Sequence, residues 1–150
     1  MPPAIILYTD GASRGNPGPG GYGVVLISGP YRKELCKGYK HTTNNRMELL
    51  AVIVGLEELK HPGSEVTVFT DSRYVVDGIE KKWVFGWEKK NFKDKKNPDL
   101  WKRLLDVYRK HHVKFVWVKG HGTNIENNRC DKLATDAAQS SNLTEDFGYQ

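Results

Sequence analysis

Apolar positions fall in short β-branched or alternating runs near the start of the chain and take on helical spacing further along. The runs predict strands at about 4 to 13, 22 to 28, 33 to 40, 65 to 70 and 113 to 118. Helical spacing and end signals predict helices at about 44 to 59, 72 to 80, 82 to 88, 98 to 111 and 127 to 140. The order is βββαβαααβα. Strands joined by short turns pair antiparallel, whereas strands reached through helices run parallel. The expected fold class is therefore α/β: a mixed five-stranded sheet, three antiparallel strands and then two parallel ones, flanked by helices, with the first strand central. A chain of 150 residues suits a single domain spanning 1–150, long enough to bury a core without staples.

Glycine-rich punctuation interrupts the pattern once. Gly18-Pro-Gly20-Gly21-Tyr-Gly23 fits the G-x-G-x-x-G form of a dinucleotide-binding loop, which has meaning only where a strand ends and a helix opens toward a pyrophosphate. Here Val24-Val25-Leu26-Ile27 follows, a strand-like run, and no acidic residue stands at the required distance beyond. These glycines read as a hairpin turn, and no nucleotide cofactor is expected.

Charge changes the picture more than overall composition does. Of the net +5, the segment Lys81 to Arg103 carries +6 and the remainder −1. Trp83, Phe85, Trp87, Phe92 and Trp101 lie among those cations. Aromatic faces interleaved with lysines suit a nucleic-acid backbone; the plainer reading is a solvated lysine face with tryptophans anchoring helices, the i,i+4 pair Trp83 and Trp87 included. Cys36 and Cys130 form no C-x-x-C pair and read as free thiols. The N-terminus is too short and uncharged for a signal peptide, and no apolar stretch approaches membrane-spanning length. A cytoplasmic protein without membrane contact is expected.

The acidic residues supply the candidate chemistry. Asp10 ends the apolar run Ile5-Ile6-Leu7-Tyr8, Glu48 lies in the first turns of the helix around Met47, Leu50, Ala51 and Val54, and Asp71 ends Val66-Thr67-Val68-Phe69-Thr70. Parallel strands collect ligands at their carboxyl ends, where Asp10 and Asp71 could lie side by side. Asp131 on the last helix could supply a fourth carboxylate. Partly buried carboxylates repel one another and need protons or a cation, and hard oxygen donors point to magnesium or manganese. Each acid also has a structural reading: Asn45-Arg-Met-Glu48 as a capping box, Asp71 or Ser72 as a helix N-cap, Asp131 as a solvated residue. Asp10 resists such a reading, because a charge on a central strand needs a partner and no Lys or Arg precedes Arg14.

Tyr8-Thr-Asp-Gly11, Gly15-Asn-Pro-Gly-Pro-Gly-Gly-Tyr-Gly23, Thr42-Thr-Asn-Asn-Arg-Met-Glu48, Thr70-Asp-Ser72, Asp99-Leu-Trp101, Val116-Trp-Val-Lys-Gly-His121 and Cys130-Asp131 together resemble ribonuclease H of the bacterial type 1 kind, over nearly the whole chain. The resemblance implies endonucleolytic cleavage of the RNA strand of RNA/DNA hybrids, leaving 5′-phosphate and 3′-hydroxyl ends. It implies catalytic carboxylates at Asp10, Glu48, Asp71 and Asp131 holding two Mg2+ ions, with Mn2+ as a substitute, and a loop histidine at His121. Two such ions about 4 Å apart would flank the scissile phosphate, activating the attacking water and stabilising the leaving oxygen.

The resemblance also assigns the substrate contacts. Glu48, Gly11 to Ser13, Asn44 and Asn45 would line the minor groove, where 2′-hydroxyls distinguish RNA from DNA. Thr43 and Asn97 would hold a DNA phosphate, with Trp83 and Tyr74 against the sugars. Asn16, Trp87, Lys89 and Lys90 join the expected contacts, within a basic handle at about 81–97. His41 stands where an arginine often grips the DNA phosphate, and Arg73 where a neutral side chain is frequent. The segment from Trp87 to Asn97 is shorter than in fuller handles, Gly122 directly follows His121, and Asn128 occupies a place often held by Glu. A tail at about 142–150 is a candidate for disorder, and a monomer with no obligate protein partner is expected. Two alternatives remain open: a DNA-directed nuclease of the integrase or resolvase kind, which would not need the Thr43-Asn-Asn45 contacts, and a silent hybrid-binding module, which would have lost a carboxylate.

Overall fold

The computed structural model describes residues 4–120 and 122–149. Its elements follow the order β1 (Ile5–Ser13), β2 (Gly18–Ser28), β3 (Tyr31–Thr42), α1 (Asn44–Glu57), β4 (Glu65–Thr70), α2 (Arg73–Glu80), α3 (Trp83–Lys89), α4 (Pro98–Tyr108), β5 (His112–Trp117) and α5 (Ile125–Gln139). The strands form one sheet in the order β3-β2-β1-β4-β5. β1 and β3 pair antiparallel with β2, whereas β4 runs parallel to both β1 and β5. The expected mixed sheet with a central first strand is what forms.

Each face of the sheet takes a helix. A Cβ built on Gly20 of β2 would lie on the side of α1, 3.2 Å from Met47 Cγ, whereas one on Gly21 would lie 2.6 Å from the Ala134 carbonyl oxygen of α5. Successive strand residues point to opposite faces, so α1 and α5 cover opposite sides of β2. That explains why β2 is buried along nearly its whole length. α1 is apolar around most of its circumference, with Met47, Leu49, Leu50, Val52, Ile53 and Leu56 all buried, as a helix between a sheet and a further helix must be. α4 supplies that outer cover, and its Trp101 is fully buried beneath Gly78 of α2.

Two expectations are corrected. The glycines at 18, 20 and 21 belong to strand β2 instead of a hairpin turn; the turn is made by Arg14 to Pro17, with Gly15 at φ 82° and the Arg14 amide bonded to the Pro19 carbonyl at 2.7 Å. Glycine in this strand answers to the α5 backbone packed on one face at Gly21 and Gly23 and to the Thr42 and Met47 side chains on the other at Gly20. Trp83 and Trp87 do not act as a pair, because Trp83 is 49% exposed while Trp87 packs edge-on against Trp101 with ring centroids 5.8 Å apart. The tail is held along β3 as far as it is described. Thr144 exchanges backbone hydrogen bonds with Gly38 and Lys40, and Asp146 accepts from Thr42 Oγ1 at 2.7 Å and from buried Arg46 at 2.7 Å.

Candidate active site

Strand register sets the first two carboxylates side by side. β1 and β4 pair from Ile5 with Val66 to Thr9 with Thr70, so Asp10 and Asp71 are the next residue on each strand, at the carboxyl end of the parallel pair. Glu48 arrives from the other direction. Gly11 leaves no room for a side chain: a Cβ there would collide with the Met47 and Glu48 backbone. This close approach lets the Gly11 amide donate to the Glu48 carboxylate. One oxygen from each of Asp10, Glu48 and Asp71 lies within 4.8 Å of the other two.

Asp131 is brought in through another glycine. Gly23 pairs with Asp10 across β1 and β2, and a Cβ on Gly23 would strike the Cys130 carbonyl oxygen of α5. The residue after Cys130 therefore sits over the same strands, and Asp131 lines one cavity of about 390 Å³ with Asp10, Glu48 and Asp71.

Of the plainer readings, the capping box of Asn45 and Glu48 does not form, whereas Ser72 is the N-cap of α2. Thr43, not Asn45, caps α1, its side chain accepting from the Arg46 amide. Ser72 caps α2 by accepting from the Val75 amide at 3.2 Å, which leaves the Asp71 carboxylate to the cavity. Burial pushes the Asp10 carboxyl up to about 8, with the Asp71 charge as the next cause and Asp131 adding to it. Glu48 is likewise driven well above its ordinary range, first by burial and then by the charges of Asp10 and Asp71. Such a cluster holds protons or a cation, and its hard oxygen donors fit a divalent ion of the magnesium or manganese class.

Nine of the expected substrate contacts divide between two neighbouring cavities. Gly11, Ser13, Asn44, Asn45, Arg73 and Tyr74 share the acidic one. Asn16, Thr43, Asn45 and Asn97 line a second, of about 730 Å³, with Arg46, Lys96 and Tyr149. Asn45 belongs to both. The wall between them is tied down: Ser13 Oγ donates to Asn44 Oδ1 at 2.9 Å, and the Asn44 amide to Asn16 Oδ1 at 3.1 Å. Asn97 donates to the Tyr74 hydroxyl at 3.2 Å while its Oδ1 accepts from Arg46 at 3.2 Å. His41 is exposed and faces the Tyr149 ring at 5.3 Å. Lys89 and Lys90 are exposed at the end of α3. His121 lies outside the described residues.

Two residues beside the acids carried no assignment from the sequence. Trp117 donates from Nε1 to the Asp71 carbonyl at 3.0 Å and lies under the Arg73 guanidinium. Asn127 lines a crevice with Asp10, Asp71 and Asp131, its Nδ2 reaching the Phe69 carbonyl at 3.4 Å. Asn127 stands four residues before Asp131, the helical spacing that shares a face, and this was the available signal. For Trp117 the signal was its place at the end of the last strand, beside Thr70.

Comparison with known proteins addresses the chain and its fold as a whole. A model of the RNase H family matches residues 2–139. The chain is 58% identical to a ribonuclease H of Trichodesmium erythraeum, over 97% of this chain and 96% of that one. It is 49% identical to a ribonuclease HI of a Synechocystis species, over 99% and 96%. Among solved structures, LC9-RNase H1 superposes with a TM-score of 0.85 at 31% identity, covering 96% of this chain and 76% of that one. LC11-RNase H1, solved in complex with an RNA/DNA hybrid, gives a TM-score of 0.67 at 28% identity over 90% and 96%.

Proposed function

The chain belongs to the ribonuclease H family and carries its activity, hydrolysis of the RNA strand of RNA/DNA hybrids; from that premise we propose that Asp10, Glu48, Asp71 and Asp131 are its catalytic carboxylates and hold two Mg2+ ions. The observation that carries the reading is the convergence of Asp10, Glu48 and Asp71 from three separate elements to within 4.8 Å, two of them with carboxyls raised by burial. When bound, the ions supply water activation and stabilisation of the leaving oxygen.

The chain's own residues hold and orient the substrate. Glu48 is fixed by the Gly11 amide, which orients its carboxylate for a ligand or a ribose hydroxyl. The Ser13, Asn44 and Asn45 rim beside it offers short polar groups of the kind that read a minor groove by its 2′-hydroxyls. Thr43, Asn97 and Lys96 suit a phosphate of the DNA strand in the adjoining cavity, with exposed Trp83 available to its sugars. His121 is assigned to proton transfer or product departure by family resemblance. The reading further takes the chain as a monomer acting in the cytoplasm; no helix among the described residues is long and apolar enough to cross a membrane.

Asp10→Asn tests the assignment. Cleavage of a labelled hybrid in magnesium should become undetectable while circular dichroism keeps the folded spectrum. Magnesium-dependent activity retained in that variant would remove Asp10 from the centre.

A further inference from the structure

The charge balance at the mouth of the acidic cavity rests on a residue outside it. Arg73 is exposed, lines the cavity that holds Asp10, Glu48, Asp71 and Asp131, and stands two residues after Asp71. A guanidinium so close to carboxylates ordinarily pairs with one of them. Among the described residues Arg73 makes no ion pair; its guanidinium carbon lies 4.0 Å from the centre of the Trp117 ring. A cation over an indole face is held electrostatically, and a guanidinium that gives a face to a ring keeps the N–H donors that radiate in its plane.

Trp117 is itself fixed at two points. It pairs in register with Thr70, the last residue of β4, and its Nε1 donates to the Asp71 carbonyl at 3.0 Å. One side chain thus braces the backbone of a cavity carboxylate and carries the neighbouring cation. We propose that Trp117 is a positioning residue that holds Arg73 as a clamp for a backbone phosphate of the RNA strand beside the scissile one. The inference rests on the hybrid-cleaving reading above. Its physical content is preorganisation: an arginine released from the ring would lose side-chain order and be drawn to the carboxylates it now avoids.

The test measures KM and kcat on one RNA/DNA hybrid in magnesium across a sodium chloride series, for wild type, Trp117→Leu, Trp117→Phe, Arg73→Gln, Arg73→Lys and the Trp117→Leu/Arg73→Gln double variant. Trp117→Leu and Arg73→Gln should each raise KM by about 3- to 10-fold and lower the slope of log KM against log salt by about 1. The double variant should match the single ones, because both changes remove one contact. Trp117→Phe keeps a ring face and should retain the wild-type slope, its lost bond to Asp71 being read in kcat. Arg73→Lys keeps the charge without the planar fork, and its KM should move toward that of Arg73→Gln.

A merely structural tryptophan would not change the salt slope. A wild-type slope in Trp117→Leu, or additive effects in the double variant, overturns the proposal. If Trp117→Leu fails to fold, Arg73→Lys decides: a wild-type KM there overturns it. Wild-type protein that does not cleave the hybrid would instead overturn the functional reading on which the proposal rests.

Discussion

At the scale of single residues, Asp10 concentrates the account. It ends an apolar run, and that oddity was visible in the sequence; the register that sets it beside Asp71 was not, since pairing of Thr9 with Thr70 depends on a crossover through α1. The Asp10 carboxyl is raised from its ordinary range to about 8 by burial, then by Asp71. A carboxyl with a raised folded value binds its proton more tightly in the folded state, so its contribution to stability falls as pH climbs from about 4 toward 8. Asp99 behaves oppositely: burial alone would raise it, but Arg46 outweighs burial and lowers it, so its stabilisation is lost as pH falls. The two effects separate in a difference measurement. Without divalent metal, the melting temperature of Asp10→Asn minus that of wild type should grow as pH rises from 4 to 8, and magnesium should shrink it by binding the wild-type cluster. A pH-independent difference would mean that Asp10 is not held in a repelling, proton-seeking cluster.

At the scale of elements, glycine decides how close the helices come. The sequence pattern located all five helices and five strands to within a few residues, yet misread Gly18 to Gly21 as a turn. Gly20 is closed in by the Thr42 and Met47 side chains and Gly21 by the backbone of α5, all distant in sequence, and no local hydrophobic pattern records that. Gly23 shows the functional side of the same packing. Gly23→Ala would drive a methyl into the Cys130 carbonyl and push α5 away from Asp10, carrying Asp131 with it. We expect a loss of about 1 to 3 kcal/mol in denaturant unfolding and a fall in kcat larger than the change in KM; unchanged stability and kcat would show that α5 is not seated on Gly23. The tail was equally illegible, because Arg46 and Asp146 lie 100 residues apart. Arg46 and Asp146 are 2% and 8% exposed as a pair, while Asp99 on the other side is 41% exposed. Asp146→Ala should therefore lower stability by about 2 to 3 kcal/mol, since Asp99 still offsets part of the buried charge. A change under about 0.5 kcal/mol would mean that the tail does not support Arg46.

At the scale of the whole molecule, two cavities adjoin at Asn45, and Lys96 of the basic segment lines the larger of them. The uneven charge was legible from the order of residues; which aromatics serve the surface was not, because Trp83 and Trp87 share helical spacing but only Trp87 meets Trp101. Replacing exposed Lys89, Lys90, Lys93, Lys95 and Lys96 by neutral residues should raise KM and flatten its salt dependence with little change in kcat; an unmoved salt slope would reduce the handle to a solvated face. On the proposed reading, buried carboxylates holding metal beside a ribose-reading rim make the chain cut RNA only when it is paired with DNA. The most direct measurement offers RNA/DNA, RNA/RNA and DNA/DNA duplexes of one sequence, labelled on either strand, to the purified protein with and without magnesium. Internal cleavage of the RNA strand of the hybrid alone, only with magnesium and leaving 5′-phosphate ends, is the expected result. Comparable cleavage of DNA/DNA or RNA/RNA, or cleavage of the hybrid without divalent metal, would contradict it.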